Sequence, residues 1–366
     1  MELEQISAED FRNLRGDFSP VPGLNILTGE NGEGKTNWLE AINVLASVRS
    51  FRTTKLQDVI RFNAPLGSVS GRVRESAQII REVRVAIAPS SKTAFTNGKM
   101  DAVNQYLGQL HAIVFNSDEL EIVRGQPDAR RRFLDTGVVS LHPPFVRVMG
   151  DYARVIKQKN ALLQSARDEA APADSVADRL LPWNEQLATL GTKIHRARSR
   201  FVERINEVLE RRLFGREELS VRYLSSLEDK GDLDDYHALL TERLALRVQA
   251  ETIAGYALIG PHRDDLEIKF DGHDMRKFGS AGQQRSALLL LQLANISVYH
   301  ATRGEYPLFL IDDIDAELDY HRIGLLLQFL EGKTQTFVTT SKESFVEKFG
   351  SAARVFSIAS GKAQMQ

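Results

Sequence analysis

The chain has 366 residues, enough for two lobes and a sizeable core. Its 47 Lys and Arg nearly balance 49 Asp and Glu, so any polyanion site has to come from a local patch. There is no cysteine, which excludes disulfides, thiolate metal sites and cysteine nucleophiles and fits a reducing compartment. No apolar run reaches the ~18 residues of a membrane span, and MELEQISAEDF lacks the basic and apolar regions of a signal peptide. A cytoplasmic protein without a membrane partner is expected.

Residues 1–120 read as α/β. Strand candidates are Leu24–Leu27, Ser68–Val73, Ile79–Ile87 and Ala112–Phe115, and Thr93–Met100 carries the hairpin signal Asn97-Gly98. From 121 to 254 apolar residues fall at three- and four-residue spacing over Phe133–Val139, Phe145–Leu163, Leu187–Leu213 and Tyr236–Ala254. The Ala/Pro/Asp tract Ala170–Asp178 is expected to be a mobile loop. From 255 strands return at Ala257–Ile259, Leu266–Phe270, Pro307–Ile311, Thr336–Thr340 and Arg354–Ile358, with a helix at Ala281–Tyr299. The division expected is a discontinuous head, 1–120 with 255–366, and an inserted helical lobe, 121–254. Heptads are not sustained, so no long coiled coil is expected, and the longest helix should reach ~40 Å.

Two segments carry the chemistry. Gly29–Asn37 (GENGEGKTN) fits G-x-x-x-x-G-K-[ST] between an apolar strand and a helical pattern. Gly29, Gly32 and Gly34 let the backbone N–H groups of Glu30, Asn31, Glu33 and their neighbours turn inward around phosphate oxygens at a helix N-terminus. Lys35 would reach the β/γ-phosphates, and the Thr36 hydroxyl would sit on Mg²⁺. Far along the chain, Phe309–Asp319 (FLIDDIDAELD) ends an apolar strand in Asp312 and Asp313. One carboxylate there can orient a Mg²⁺ shell and the next can position the attacking water. A third segment, Phe278–Arg285 (FGSAGQQR), opens a helix with free N–H groups and a hydroxyl, which reads either as a second anion-binding terminus or as a plain cap.

In their order, the P-loop, the Ser-x-Gly-Gln helix, the Asp-Asp strand and Ala316-Glu317-Leu318-Asp319 resemble ABC-type ATPase heads of the SMC/Rad50 kind. That resemblance implies an α/β head formed by both chain ends, with ATP and Mg²⁺ as cofactors. In that family the signature helix of one head completes the ATP site of another. Ser280, Gly282 and Gln283 would therefore face a partner's γ-phosphate in an ATP-dependent homodimer, with Asp319 across the interface. By the same resemblance Asp312 holds Mg²⁺, and Asp313 stands where the catalytic base, usually Glu, is found. The shorter side chain implies slow turnover. The sensor position falls at Thr339-Thr340-Ser341, and Asn116 stands in the glutamine loop.

Further segments resemble the RecF family of bacterial recombination-mediator ATPases nearly end to end: Phe11-Arg12-Asn13-Leu14, Gly23–Ile42, Arg49-Ser50-Phe51-Arg52, Arg130–Asp135, Gln158–Leu163 and Gly260–Leu266 (GPHRDDL). The resemblance implies nucleotide contacts from Arg12 and Asn13. It also implies binding to double-stranded DNA near single-strand/double-strand junctions, with RecO and RecR as partners in loading the recombinase.

For DNA, Lys193–Arg216 holds eight Lys/Arg against three Glu. Lys193, Arg196, Arg200, Arg204 and Arg211 line one side of a helix. This is either a solvated basic face, supported by intrahelical pairs to Glu203, Glu207 and Glu210, or a phosphate-contacting stripe. Arg130–Arg132 is a second candidate, or equally a helix start with exposed Arg. His262–Asp265 has the composition of metal ligands, but with no Cys or second His at ligand spacing a loop network beside the ATP site is expected.

Overall fold

The computed structural model describes residues 1–76, 78–210 and 218–366. At its centre is a six-stranded sheet in the order Lys362–Met365, Arg354–Ala359, Leu24–Thr28, Thr336–Thr340, Leu308–Ile311, Ala112–Phe115. All neighbours are parallel except the terminal pair Arg354–Ala359/Lys362–Met365. Parallel strands need both faces covered, which explains the uninterrupted apolar runs. Alternate side chains serve the two sides. Leu308 and Leu310 pack with Trp38 of the helix Lys35–Ser47, while Phe309 and Ile311 pack with Leu288 and Leu291 of the helix Ala281–Arg303.

The helix Lys35–Ser47 is buried on almost every side, because a second sheet covers its far face. That sheet is antiparallel, in the order Leu14–Phe18, Glu2–Phe11, Gly67–Ser76, Ile79–Ala88, Ser91–Thr96, Lys99–Asp101. Its last hairpin turns at Asn97 (φ 50°) and Gly98 (φ 75°), the left-handed pair that the sequence signals.

The inserted lobe is built on the antiparallel helices Phe145–Asp168 and Ala173–Leu209, with Pro127–Leu141, Tyr236–Leu246 and Val248–Ala254 against them. Leu163 and Ala166 meet Val176 and Leu180 at the far end of this pair, where Val248 closes over them. The hairpin therefore ends in a capped core and not in a coiled-coil arm. A third sheet, Leu219–Leu224 with Asp265–Phe270 and His273–Asp274, leads directly into Ala281–Arg303.

Several expectations change. Ala170–Asp178 is not a loop throughout: the helix starts at Ala173, because Pro172 presets the backbone ahead of it and Val176 finds apolar cover. With 37 residues that helix spans about 55 Å, longer than expected, and carries Pro182 inside it. The end expected at Leu213, like Arg211, lies outside the described residues. Tyr236–Ala254 breaks at Arg247 into two helices. Ala257–Ile259 is no strand, since the N–H groups of Ala257 and Leu258 donate to Asn160 Oδ1 and Glu251 Oε1 instead. The strand Leu219–Leu224 lies within a stretch expected to be helical.

Candidate nucleotide site

Parallel register gathers the site at one edge of the central sheet. Leu27 stands beside Thr339, and Ile311 beside Val338, so the loop after Thr28, Thr339 and Asp312 all emerge at the carboxyl ends. The loop itself depends on left-handed glycines: Gly29 (φ 152°) and Gly34 (φ 113°). A Cβ on Gly29 would lie 2.4 Å from the Ile358 carbonyl oxygen, and one on Gly34 2.9 Å from Asn13 Oδ1. No side chain caps the helix that starts at Lys35, which leaves its first N–H groups directed at the loop. Lys35, almost fully buried, donates to the carbonyls of Gly29 (2.8 Å) and Glu30 (3.0 Å). Glu33 anchors the loop from below: its carbonyl accepts from Asn13 Nδ2 (3.2 Å) and Gly361 N (2.8 Å), and its carboxylate from Ser360 N. Asn37 donates to Asn13 Oδ1 at 2.8 Å. Glu30, Asn31 and Gly32 form the exposed rim.

Asp312 and Asp313 follow the strand as expected, and they face different ways. Asp312 Oδ1 accepts from the hydroxyls of Thr36 (2.9 Å) and Thr339 (2.6 Å). Asp313 takes a left-handed conformation (φ 46°), which Asp tolerates and which turns its carboxylate off the strand. Its own N–H donates to Thr339 Oγ1 at 2.8 Å. Partial desolvation, and then the neighbouring Asp312, push the Asp313 carboxyl above the usual range, against the opposing pull of Lys35. Thr339 thus aligns both acids. The sequence placed it only at a sensor position, and no local pattern announces its two bonds.

The signature residues stand apart from this cradle. Ser280 and Gln283 form a reciprocal capping box, with Ser280 Oγ accepting from Gln283 N (3.3 Å) and Gln283 Oε1 from Ser280 N (2.9 Å). Ser280, Gly282 and Gln283 are exposed, none bonds to the P-loop of its own chain, and a Cβ on Gly282 would meet nothing within 4 Å. The cap is therefore formed, and the terminus still presents its remaining N–H groups to solvent. Asp319 caps the helix Tyr320–Leu330 by accepting from His321 N and Arg322 N.

Other expected residues go elsewhere. Arg12 is not aimed at the loop: its guanidinium forks onto Glu40 (3.0 and 2.9 Å) and donates to the Asp58 carbonyl. Glu40 is a fully buried acid on the P-loop helix that a sequence alone would leave on a polar face. Arg52 Nη1 approaches it at 3.6 Å and bonds to Asn37 Oδ1 at 2.8 Å. Of Arg130–Arg132, Arg130 is buried against Asp265, so it is not a DNA contact. His262–Asp265 does form a network, with partners in the inserted lobe and not in the P-loop: Tyr152 on His262, Arg131 and Tyr223 on Asp264, Arg130 on Asp265.

The helix Ala173–Leu209 shows Lys193, Arg196, Arg200 and Arg204 to solvent while Ile194, Phe201 and Ile205 are buried. Arg198, on the inner side, pairs with Asp135 at 2.7 Å. Among the described residues no ion pair joins Glu203, Glu207 or Glu210 to Lys193, Arg196, Arg200 or Arg204, and Arg211, the last of the stripe, lies outside them. Arg204 donates to Thr302 Oγ1, and Lys193, Arg196 and Arg200 are left to solvent.

A parallel sheet with a P-loop and an acid pair at one edge, a covering antiparallel sheet, and a remote exposed Ser-x-Gly helix together define an ABC-type ATPase head of the SMC kind. Among the described residues no helix is long and apolar enough to cross a membrane. The chain belongs to the family described as RecF/RecN/SMC N terminal domain, which matches residues 2–364. It is 34% identical over 359 residues to the DNA replication and repair protein RecF of Listeria welshimeri, covering 95% of each chain. To the protein of the same name from Lactobacillus delbrueckii it is 36% identical over 373 residues, covering 99% and 97%. Among solved structures it is similar to the recombination mediator protein RecF-ATPrS in the RecFOR pathway, with TM-score 0.89, 28% identity and 100% and 98% coverage. An SMC head bound to the C-winged helix domain of ScpA shares the fold at TM-score 0.51 and 14% identity.

Proposed function

We propose that this chain is an ATP-driven switch of recombinational DNA repair, closing as a homodimer on double-stranded DNA near single-strand/double-strand junctions. One observation carries the reading. A complete phosphate cradle and an exposed signature terminus lie on the same chain without touching, so each half lacks the complement that a second copy would supply. Similarity to proteins named for DNA replication and repair, and to a recombination mediator of the RecFOR pathway, supports the biological setting and RecO and RecR as partners in loading the recombinase. We read 1–120 with 255–366 as the head and 121–254 as the inserted lobe.

In each composite site the N–H groups of residues 30–36 would hold the triphosphate, with Lys35 leaving the Gly29 and Glu30 carbonyls for the β/γ-phosphates. Asn13 keeps the loop in shape through Glu33. The hard oxygens of Thr36 and Asp312, already in contact, fit Mg²⁺, which would neutralise phosphate charge when bound. Thr339 holds the Asp312 carboxylate towards Thr36 and fixes the backbone from which Asp313 projects. Asp313 would take the proton of the attacking water. From the partner, Ser280, Gly282 and Gln283 would close over the γ-phosphate. Slow hydrolysis then releases the pair, and with it the DNA. Lys193, Arg196, Arg200 and Arg204 are the duplex contacts, made to backbone phosphates without sequence preference. The test is molecular mass in solution with and without ATP and Mg²⁺, repeated with duplex DNA. A mass that stays monomeric, with DNA affinity unchanged by ATP, rejects the switch.

A further inference from the structure

The GPHRDDL segment takes no part in the chemistry above, yet one of its carboxylates occupies a junction between the chain's two half-sites. Asp265 begins the strand Asp265–Phe270, which turns at Asp271-Gly272, returns as His273–Asp274 and runs through Met275–Phe278 into Ser280. The signature terminus therefore hangs from a hairpin rooted at Asp265. That hairpin is stiffened by the strand Leu219–Leu224, paired in continuous register from Asp265↔Leu224 to Phe270↔Leu219.

The root is held by Arg130. Its guanidinium, 1% exposed, forks onto Asp265 with Nε–Oδ1 at 2.6 Å and Nη2–Oδ2 at 3.0 Å. Its remaining arm, Nη1, donates to the carbonyl of Gly125 at 2.7 Å. Gly125 closes the segment that leaves the nucleotide edge of the central sheet. In that segment the Phe115 carbonyl accepts from Asp312 N (3.0 Å), Asn116 Oδ1 accepts from Glu119 N (2.9 Å), and the turns Asp118–Leu120 and Glu121–Arg124 pack on the signature helix. A Cβ at Gly125 would lie 2.7 Å from the Glu121 carbonyl oxygen, so this tight turn has little freedom of its own. On the other side, Arg276 Nη1 meets Asp265 Oδ2 at 3.4 Å, and its Nη2 meets Asp274, the second residue after the hairpin turn, also at 3.4 Å.

We infer that Arg130 and Asp265 are positioning residues that transmit the state of a protomer's own nucleotide edge to the signature terminus it offers its twin. A single planar fork grips both the segment leaving Asp312's neighbour strand and the root of the signature hairpin. A displacement of Asn116–Gly125 that accompanies nucleotide binding is therefore passed to Ser280 as a rotation of a rigid hairpin. Only a guanidinium combines the planar fork that holds a carboxylate at two points with a further donor aimed at a carbonyl.

The inference rests on the composite-site reading, and a readout on the monomer separates the two. The chain has no cysteine, so Lys277→Cys gives a single exposed labelling site just before the signature terminus. At concentrations below pairing, ATP with Mg²⁺ should shift the emission of a fluorophore placed there. Asp265→Asn keeps size and shape while halving the fork, and the lost buried pair should lower the melting temperature. Measured below that transition, affinity of the monomer for a fluorescent ATP analogue should match wild type, the emission shift should vanish, and ATP-dependent pairing should weaken by about tenfold or more. A label that ignores ATP in the otherwise wild-type chain, or a shift that survives Asp265→Asn, overturns the relay while leaving the composite site standing. A wild type that never pairs with ATP removes the composite site and the relay together.

Discussion

Replacing Glu40 by Gln tests whether the buried fork to Arg12 holds the P-loop helix in place. Glu40 is fully buried, and three side chains converge on it: Arg12 through two bonds, Ser50 through its hydroxyl, and Arg52 at 3.6 Å. Gln keeps one acceptor oxygen, so one Arg12 bond survives in weaker, uncharged form, and the new amide NH₂ faces a guanidinium N–H. Hydrogen bonds to charged groups contribute about 1.5–3 kcal/mol each, and breaking a buried pair costs about 3–5 kcal/mol. Arg12 keeps a quarter of its side chain in solvent, which screens part of the loss and puts the expected destabilisation near 3 kcal/mol. Trp38 is the natural reporter, two residues before Glu40 on the same buried helix and edge-on to Phe18 at 5.0 Å. Urea unfolding followed by tryptophan fluorescence in a Trp183→Phe background reads this region alone. Asp151→Asn, at an exposed pair with Arg154, is the control and should change stability by less than about 0.5 kcal/mol. A Glu40→Gln shift below about 1 kcal/mol would refute the reasoning, since solvent or rearrangement would then be replacing the fork.

Lys35→Ala should weaken nucleotide binding and abolish pairing, whereas Ser280→Arg should leave binding to the monomer intact and block pairing only. Equal loss of binding in both variants rules out a signature that works across the interface. Changing Arg196, Arg200 and Arg204 together to Ala should flatten the salt dependence of DNA affinity by up to about 0.9 per lost phosphate contact, read from a titration over ionic strength. An unchanged slope moves the duplex elsewhere. Because only ionised Asp313 can accept a proton, Asp313→Asn should keep nucleotide binding and lose turnover at saturating ATP by about a hundredfold or more. Turnover that persists in the variant assigns the base to another group.

The cradle, the acid pair and the signature helix were legible because each is a contiguous motif whose residue types leave few alternatives. Asn97-Gly98 was legible for the same reason. The strand Glu2–Phe11 was not, because register shifts at Leu3/Gln5 and Glu9/Phe11 break its alternation, so Leu3, Ile6, Ala8 and Phe11 share one core without a period of two. The Arg12–Glu40 pair joins residues 28 apart through a turn and a helix, and Thr339 reaches Asp312 across neighbouring strands. Contacts of that kind depend on strand order, which residue spacing does not encode. The helix start at Ala173 was hidden by composition, since Ala, Pro and Asp suit a loop as well as a first turn.

The strand that delivers the P-loop lies between Arg354–Ala359 and Thr336–Thr340, and Ser360 and Gly361 brace Glu33 from beneath. During synthesis these supports leave the ribosome some 300 residues after the glycines they steady. A nascent chain consequently carries its phosphate-gripping motif unfinished until translation is nearly over. A half-made chain therefore lacks the neighbours that give the loop its phosphate-gripping shape.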